Sequence, residues 1–357
     1  MRTPRSLVAV AAAIATLAVL VAACGDDDDV STGADTVVRV VAHESFALSE
    51  DVLDAFTADT GITVELLLGE DAGSVVNQAV LTRSRPQGDV LFGIDTTFLT
   101  RGLDEDLFEP YESPALAGVP ADLQVDDEHR VTPIDVGDVC VNYDRAFFDA
   151  PGAPALPETL ADLTDPAYRD LLVVEDPAAS SPGLTFLAGT VAEFGDDGWE
   201  DYWSDLKDNG VQVAADWTDA YYGRFSGGAT SEGDRPLVVS YASSPPAEVV
   251  FADPPVDTPP TGVIEGTCVR QVEFAGVLAG AEHPDAARAF IDFLLSEAVQ
   301  ADVPLSMFVF PAVEGTPLPD VFEQHAARPT DPVVIDPFDF GAVRDDVIQR
   351  WSELVLG

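Results

Sequence analysis

From Thr36 onward, short apolar runs alternate with amphipathic segments, a pattern that predicts strands alternating with helices. The first part of this region predicts strands over Val37–Val41, Ile62–Leu68 and Asp89–Ile94, and helices over 49–56 and Ser74–Thr82. The second helix is expected to turn Val75, Ala79 and Leu81 inward. Because this β-α-β-α-β order needs crossover helices, it indicates a parallel sheet with ligand sites beyond the carboxyl ends of its strands.

The second part of the chain continues the alternation and contains a more aromatic helix. Strands are predicted over Val139–Tyr143, Leu171–Val174, Leu237–Tyr241 and Gln271–Leu278, and helices over Leu184–Phe194, Gly198–Leu206 and from Pro284. In the second of these helices, Trp199, Tyr202, Trp203 and Leu206 recur at helical spacing, and we expect them in the core. The proline-rich stretch Pro245–Pro260 is predicted to be irregular.

These elements predict two α/β units joined by two crossings. A chain that leaves one unit, builds a second and returns crosses twice, and two crossings form a hinge beside a cleft. The predicted divisions are a signal peptide at 1–23, a lipidated Cys with an acidic tether at 24–35, a first lobe at 36–139, a second lobe at 140–268, a return to the first lobe at 269–313 and a C-terminal helical segment at 314–357.

The amino terminus has the pattern of a secretory signal. Two arginines precede an apolar run over 7–23, whose ending, Val-Ala-Ala-Cys24, resembles a bacterial lipobox, in which the Cys is lipidated and becomes the mature N-terminus. A plain transmembrane helix is the alternative, and the run is slightly short for it. Lipidation of Cys24 would tie the mature protein to the cytoplasmic membrane from outside.

The charge balance excludes several classes of partner. The 357 residues include 17 Lys and Arg against 64 Asp and Glu, which gives a formal net charge of −47. Nucleic acid, or anionic lipid bound through a basic patch, would require a positive surface. Two explanations of the acidity stay open, namely solubility in saline surroundings and a field that gathers cations.

The cysteine count is consistent with an extracytoplasmic location. The three cysteines are Cys24, Cys140 and Cys268. If Cys24 carries lipid, an even pair is left in an oxidising compartment, and a disulfide between Cys140 and Cys268 is predicted near the two crossings. Two buried free thiols are the alternative.

Loop segments rich in aromatic, hydroxyl and carboxylate side chains follow the predicted strands. The most informative are Gly-Ile-Asp at 93–95, Asp-Pro-x-x-Ser-Ser-Pro-Gly-Leu at 176–184, Trp-Thr-Asp-Ala-Tyr at 217–221 and Ser-Tyr-x-x-Ser-Pro at 240–245. In this order they resemble the thiamine-binding periplasmic proteins of ABC importers, which are related to the ferric-iron-binding proteins. The resemblance covers nearly the whole mature chain.

The resemblance implies an α/β chain with the two-lobed type II periplasmic-binding-protein fold, a hinge of two crossing strands and a ligand cleft between the lobes. It also implies a receptor and not an enzyme. The receptor would be a lipid-anchored monomer that captures thiamine or its phosphate esters and delivers it to the membrane permease of an ABC importer. No cofactor and no metal are expected.

The predicted ligand explains the residue types of the motifs. Thiamine carries a permanently cationic thiazolium and a flat aminopyrimidine, which suit aromatic faces. By the resemblance, Trp217 and Tyr241 are such faces, and Tyr221 of the same motif lies beside them. Asp95 would accept a hydrogen bond from the exocyclic amine or pair with the positive charge. Ser180 and its loop amides, at a helix start, would take the hydroxyethyl or phosphate end.

Two further expected ligand-binding residues depart from the family pattern. His43 stands where the family usually has Tyr, and Phe308 stands where it tends to have Trp. These two departures leave open a lower affinity or an altered ligand, such as a pyrimidine precursor. Of the adjacent Tyr221 and Tyr222, only one can point inward from a regular strand, and the motif favours Tyr221.

Each of these residues also has a purely structural explanation. Asp95 and Ser180 could cap the helices that follow them. Trp217 and Tyr241 could belong to the core, and His43 could be a solvated loop residue.

Ferric iron is a rival ligand for the same fold. Tyr221, Tyr222, His43 and Glu44 would supply the hard oxygen and nitrogen ligands that iron requires.

A thiaminase-like enzyme is a rival of a different class. Cys140 would be its nucleophile, with Glu273 or Asp138 as base, and this reading requires a free thiol at Cys140.

Overall fold

The chain folds around two β-sheets in the computed structural model, which describes residues 36–357. The predicted signal peptide, the lipidation of Cys24 and the acidic tether lie outside the described residues.

The strands and helices alternate along the chain from the first residue described. The strands are β1 Thr36–Ala42, β2 Ile62–Leu68, β3 Val90–Asp95, β4 Phe108–Glu109, β5 Thr132–Val136, β6 Val139–Asp144, β7 Leu172–Glu175, β8 Gln212–Ala214, β9 Leu237–Tyr241, β10 Thr261–Val269, β11 Val272–Leu278 and β12 Phe310–Pro311. The α-helices are α1 Glu50–Thr60, α2 Ala72–Thr82, α3 Leu99–Leu103, α4 Arg145–Phe148, α5 Ser181–Phe194, α6 Trp199–Asp208, α7 Pro245–Val250, α8 Pro284–Leu294, α9 Glu297–Ser306, α10 Asp320–His325, α11 Pro337–Gly341 and α12 Arg344–Val355.

The first sheet combines a parallel half with antiparallel strands. Its order is β12-β5-β11-β3-β1-β2, and β4 also pairs with β11. The predicted parallel arrangement is confirmed for β1, β2 and β3. Strand β11 returns from the second sheet and inserts antiparallel between β3 and β5.

The second sheet has the order β10-β6-β9-β7-β8. Strand β7 is parallel to β8 and β9, whereas β6 is antiparallel to β9 and β10. The chain passes between the sheets twice, from β5 to β6 and from β10 to β11. Cys140 on β6 and Cys268 on β10 are disulfide-bonded beside these two crossings.

Local sequence explains where α1 ends and which face of α6 is buried. Helix α1 ends where Gly61 adopts a left-handed φ of 72°, which a glycine reaches without a Cβ clash. The aromatic helix α6 buries Trp199, Tyr202, Trp203 and Leu206, as its periodicity predicted.

Two of the predictions for elements are wrong. Val75 is buried as expected, but Leu81 is 77% exposed, because α2 starts at Ala72 and turns Val76 and Val80 inward with Val75. The stretch after Tyr241 is not wholly irregular, since α7 begins with prolines in its first turn, where a missing backbone N–H is tolerated.

The C-terminal segment packs back onto the folded body. Trp351 of α12 is fully buried, and its ring meets Trp203 of α6 edge-on at 5.4 Å between centroids. Trp203 in turn donates its indole N–H to the Thr190 hydroxyl of α5.

Candidate functional site

A cavity of about 230 Å³ lies where loops from the two sheets meet. The first sheet contributes the loop after β1, the start of α2, Glu273 of β11 and the residues before β12. The second sheet contributes the start of α5, the segment around 217–222, the end of β9 and the start of α7. The cavity therefore lies at the position predicted for a ligand cleft.

Four aromatic rings form one side of the cavity, and we call them the aromatic wall: Trp217, Tyr221, Tyr222 and Tyr241. Trp217 is the centre of this wall. Its ring stacks on Tyr221 at 5.2 Å and 22°, and it lies 5.6 Å from Tyr222 and 6.5 Å from Tyr241 between centroids. Clustered faces of this kind suit a flat or cationic ligand.

Hydrogen bonds fix the rings of the wall in place. The Trp217 indole N–H donates to the Ser240 hydroxyl at 2.9 Å, and Ser240 lies 2.9 Å from the Ser244 hydroxyl. The Tyr221 hydroxyl donates to Glu248 at 2.9 Å. The two serines of the 240–245 motif thus support the tryptophan of the 217–221 motif.

Two of the three tyrosines of the wall, Tyr221 and Tyr222, lie on a π-helical turn and not on a strand. The turn spans Asp219–Arg224, and the Phe225 N–H donates to the carbonyl of Ala220 at 2.9 Å. Strand alternation therefore does not apply, and Tyr221 and Tyr222 both line the cavity. The expectation that only one could face inward is wrong.

Tyr222 is the more accessible of the pair. It is 41% exposed, whereas Tyr221 is 2% exposed. Burial, and then the neighbouring Glu248, raise the pKa of Tyr221 well above that of an ordinary tyrosine. Tyr221 therefore keeps its proton and donates a hydrogen bond to Glu248.

Phe308 lines the cavity in a strained conformation. Its backbone φ is 56°, in the left-handed region that side chains seldom adopt. Its ring contacts Phe251 at 5.4 Å and stacks near Phe322 at 6.3 Å between centroids. This packing holds the ring beside the cavity.

Carboxylates face the cavity together with one histidine. His43 lies against Glu273, with 3.2 Å between Nε2 and the nearest carboxylate oxygen, and their side chains are only 12% and 9% exposed. Nε2 of His43 has no hydrogen-bond partner among the described residues, so its contact with Glu273 is an ion pair when the imidazole is protonated. Glu44 and Asp71 also line the cavity, whereas no Lys or Arg does so among the described residues.

Asp71 joins the loops of the two sheets. It caps α2 by accepting from the Ala72 N–H at 2.7 Å. The same carboxylate accepts from the Ser181 N–H at 3.2 Å and the Trp217 N–H at 3.5 Å. Burial raises its pKa, and these hydrogen bonds together with His43 oppose that rise.

Asp95 and Ser180 lie beneath the cavity and do not line it. Asp95 is fully buried and accepts from the Thr97 N–H and hydroxyl, both at 2.6 Å, and from the Ser181 hydroxyl at 2.5 Å. Burial raises the pKa of Asp95 to about 6. Ser180 is also fully buried and caps α5, with its hydroxyl 3.5 Å from the Gly183 N–H.

The structure brings five of the seven expected ligand-binding residues to the cavity and leaves two below it. Those that line it are His43, Trp217, Tyr221, Tyr241 and Phe308. For Asp95 and Ser180, the observed contacts match the structural explanation, in which each caps the turn or helix that follows.

Sequence reasoning gave no thiamine-binding role to Asp71, Tyr222 and Glu273, which line the cavity. Glu273 was considered only as a base, yet it is a carboxylate inside the otherwise apolar strand Val-Glu-Phe-Ala-Gly-Val-Leu. Asp71 stands directly before a helix, which marks it as a cap and gives no sign of a second role. Tyr222 has a role only in the rival iron site, because the alternation of a strand would turn it away from the thiamine site.

Three further observations concern the described residues. Within residues 36–357, no group of three or more His, Cys, Asp or Glu side chains could hold a metal ion. The same residues include no helix long and apolar enough to cross a membrane. Cys140 is buried and bonded to Cys268, so neither carries a free thiol.

Comparison with known proteins identifies relatives over most of the chain. The profile of the bacterial extracellular solute-binding protein family matches residues 88–331. The thiamine-binding periplasmic protein of Escherichia coli strain K12 is 28% identical over 327 residues, which cover 89% of this chain and 93% of the relative. The resemblance to thiamine-binding periplasmic proteins is therefore confirmed.

Solved structures share the architecture. A periplasmic thiamin binding protein matches with a TM-score of 0.75 and 25% identity, covering 89% of this chain and 96% of that one. Iron-bound HitA from Pseudomonas aeruginosa matches with a TM-score of 0.72, covering 89% and 99%, and its 20% identity shows the fold alone. These matches confirm the predicted two-lobed type II fold.

Proposed function

The chain belongs to the bacterial extracellular solute-binding protein family, and on that premise we propose that it is a thiamine receptor. It captures thiamine outside the cytoplasmic membrane and delivers it to the permease of an ABC importer. The proposal includes a lipid anchor at Cys24 and a binding role without catalysis. Relatives named as thiamine-binding periplasmic proteins support the choice of ligand.

The observation that carries the proposal is the pairing of an aromatic wall with carboxylates in one cavity. Three acidic residues line it, namely Glu44, Asp71 and Glu273. Among the described residues, His43 is the only basic side chain that lines it. A flat organic cation gains from ring faces and from a negative field at the same time. Thiamine is both flat and cationic.

We assign the ligand contacts to the residues that reach the cavity. Trp217, Tyr222 and Tyr241 offer ring faces, and Phe308 adds a further ring to the lining. Asp95 acts indirectly, because it accepts the hydrogen bond of Ser181, which lines the cavity. Ser180 orders the start of α5 from below.

Calorimetric titration of the soluble domain from Ser31 tests this function. The protein is stripped of ligand by unfolding and refolding, and then titrated with thiamine, its monophosphate, its diphosphate and ferric citrate. We expect tight one-to-one binding of thiamine. Absence of thiamine binding, with a coloured iron complex instead, would overturn the proposal.

The face of Tyr241 can be tested with a matched pair of variants. Tyr241→Leu removes the ring, and we expect thiamine affinity to fall about tenfold, within the range of about 0.5–2 kcal/mol for a cation over a ring. Tyr241→Phe keeps the ring and is expected to bind within about twofold of wild type, because no hydrogen bond of the hydroxyl is present within residues 36–357. Equal affinities for the Leu and Phe variants would remove Tyr241 from the site.

Iron binding is the weaker alternative. The four residues that iron would use, Tyr221, Tyr222, His43 and Glu44, all line the cavity. Iron needs ionised tyrosines, however, and burial and Glu248 raise the pKa of both rings. Coordination by Tyr221 would also break its hydrogen bond to Glu248.

The enzyme alternative lacks its nucleophile. A thiaminase-like reaction requires a thiolate at Cys140, and that sulfur is bonded to Cys268. Asp138, the other candidate base, is paired with Arg270.

A further inference from the structure

Three carboxylates stand in one row across adjacent strands of the first sheet. Glu273 on β11 is in register with Asp95 on β3 and with Asp135 on β5. Residues in register on neighbouring strands point to the same face. All three are buried, with Asp95 and Asp135 at 0% and Glu273 at 7% exposure, and Glu273 is the member that lines the cavity.

His43 is held directly above this row. A glycine at 93 makes the placement possible, because a Cβ there would collide with the His43 ring. The ring centroid lies 5.7 Å from that of Phe92, and Nε2 faces Glu273. His43 lines the cavity as well, so a bound ligand meets both members of the ion pair.

The charged groups around His43 come from every element packed against it. Glu273 faces it from β11, Asp71 from the start of α2 and Asp95 from the end of β3, and Glu44 follows it in the chain. Tyr241 of β9 is the other titratable neighbour in the cavity, and burial raises its pKa far above neutrality. All of the charged neighbours are therefore acids, and they favour the protonated imidazolium.

The pKa values of His43 and of the carboxylates in the row shift in different directions. Burial alone would lower the pKa of His43, but Glu273, Asp71 and Asp95 outweigh burial and raise it. Burial, and then Glu273, raise the pKa of Asp135 well above the ordinary value, which favours the protonated carboxyl beside Glu273. Burial alone would raise the pKa of Glu273, and His43 and Asp135 lower it instead.

We propose that the cavity exchanges a proton for its cationic ligand: in the empty site the His43 imidazolium neutralises Glu273, and the arriving cation takes over that role and expels the proton from His43. This inference rests on the proposed function. The exchange is balanced, since one positive charge enters with the ligand, one leaves as a proton, and no bond other than N–H is broken.

The direction of the pH dependence follows from linkage. A cation bound beside the imidazolium lowers the pKa of His43, so the complex holds fewer protons than the free protein. Affinity for the ligand therefore rises with pH while His43 titrates, by up to about tenfold per pH unit for one proton exchanged. Above that range the affinity levels off.

Titration calorimetry in buffers of different ionisation enthalpy measures the exchanged proton directly. Thiamine is titrated into wild-type protein and into two variants, from about pH 6 to about pH 9, a range that starts near the ordinary histidine pKa of about 6.5. We expect wild type to release about half a proton per ligand at the pKa of free His43, and up to about one proton at pH values between the pKa of His43 in the complex and in the free protein. The His43→Gln variant is expected to release only what the ligand itself releases.

His283 provides a matched control. It also faces a carboxylate, with 3.7 Å between its Nδ1 and Asp89, but it does not line the cavity. His283→Gln should therefore release the same number of protons as wild type. Loss of the proton release in both variants would indicate a general perturbation and would contradict the assignment to His43.

Histidine NMR gives a second readout that does not depend on affinity. The Cε1–H signals of the protein are titrated with and without thiamine, and the His43 signal is assigned from the His43→Gln variant. A lower pKa of His43 in the complex is expected, and an unchanged or higher pKa would overturn the exchange. If thiamine produces neither heat nor shift changes, the proposed ligand is wrong, whereas binding without proton release contradicts the exchange alone.

Discussion

At the residue scale, Asp95 lies below the cavity and orients the Ser181 hydroxyl, which lines it. Its carboxylate accepts from Thr97, from the Phe98 N–H at 3.4 Å and from the Ser181 hydroxyl, and Ser181 accepts in turn from Gln271 at 2.8 Å. A buried carboxylate with several donors is held rigidly. Its effect on a ligand is therefore transmitted through the position of Ser181.

The raised pKa of Asp95 predicts a pH-dependent stability. Its folded pKa of about 6 lies above the ordinary 3.8, so the folded state binds this proton more tightly than the unfolded state. The contribution to stability is present below about pH 4 and is lost as pH rises to about 6, on the order of 2–3 kcal/mol in all. Urea unfolding of wild type and Asp95→Asn at these pH values measures the difference.

The amide variant is the control for this prediction because it does not titrate. As pH rises from about 4 to about 6, wild type should lose stability relative to Asp95→Asn. A constant difference in the free energy of unfolding across the range would show that Asp95 does not titrate there.

At the element scale, a bulge in the first sheet creates the space for His43. Phe274 pairs with Ile94 and Ala275 pairs with Phe92, so Gly93 is an extra residue on β3. Its φ of 89° is a conformation that glycine adopts without strain. The bulge bends the strand next to the cavity and leaves no side chain beneath the imidazole.

Replacing this glycine should therefore damage the site more than the fold. We expect Gly93→Ala to cost about 1–3 kcal/mol in backbone strain and to displace the His43 ring, so that thiamine affinity falls. Gly152→Ala is the matched control, because Gly152 has a φ of 91° and nothing within 4 Å of the added Cβ.

Urea unfolding and calorimetry on both variants separate the two effects. Both should show similar backbone strain, and only Gly93→Ala should lose affinity. Unchanged thiamine binding by Gly93→Ala would contradict the role assigned to the bulge.

The π-helical turn is the second element that shapes the site. A turn closed from residue 225 to residue 220 has more residues per turn than an α-helix. It therefore presents the adjacent Tyr221 and Tyr222 to one cavity, with the first anchored on Glu248 and the second open to solvent.

At the scale of the whole molecule, the disulfide lies beside both passages between the sheets. Cys140 and Cys268 are 128 residues apart in sequence. Their bond closes the intervening chain, which includes most of the second sheet, into one covalent loop. Cross-linking a loop of this length restricts the unfolded chain strongly.

Removal of this bond should lower global stability. We expect Cys140→Ser with Cys268→Ser to reduce the free energy of unfolding by about 2–5 kcal/mol, measured by urea unfolding of the soluble domain. Wild type under reducing conditions should approach the variant. Equal stability of oxidised wild type and the double variant would mean that the cross-link contributes nothing.

Hydrogen bonds across the cavity also belong to this scale. Asp71 accepts from Ser181 and Trp217, and the Thr218 hydroxyl donates to Glu44 at 2.6 Å. These contacts join loops of the first sheet to loops of the second. A ligand that contacts the same loops favours this closed arrangement of the two lobes.

The amino-acid sequence by itself determined many of the elements, the alternation of strands and helices, and the type of fold. Apolar periodicity and glycine or proline at boundaries are local signals, so β2 was predicted to the residue and the core face of α6 was correct. The motifs around Trp217 and Tyr241 also predicted rings of the aromatic wall, because each motif is a short stretch of chain.

Only the tertiary structure decided which polar groups face the cavity. Asp95, Asp135 and Glu273 are far apart in sequence and become one row through strand register, which local patterns do not encode. The same register brings Glu273 to His43 and buries Asp95 beneath Ser181. Strand pairing between distant segments sets these distances, and the distances set the charge of the site.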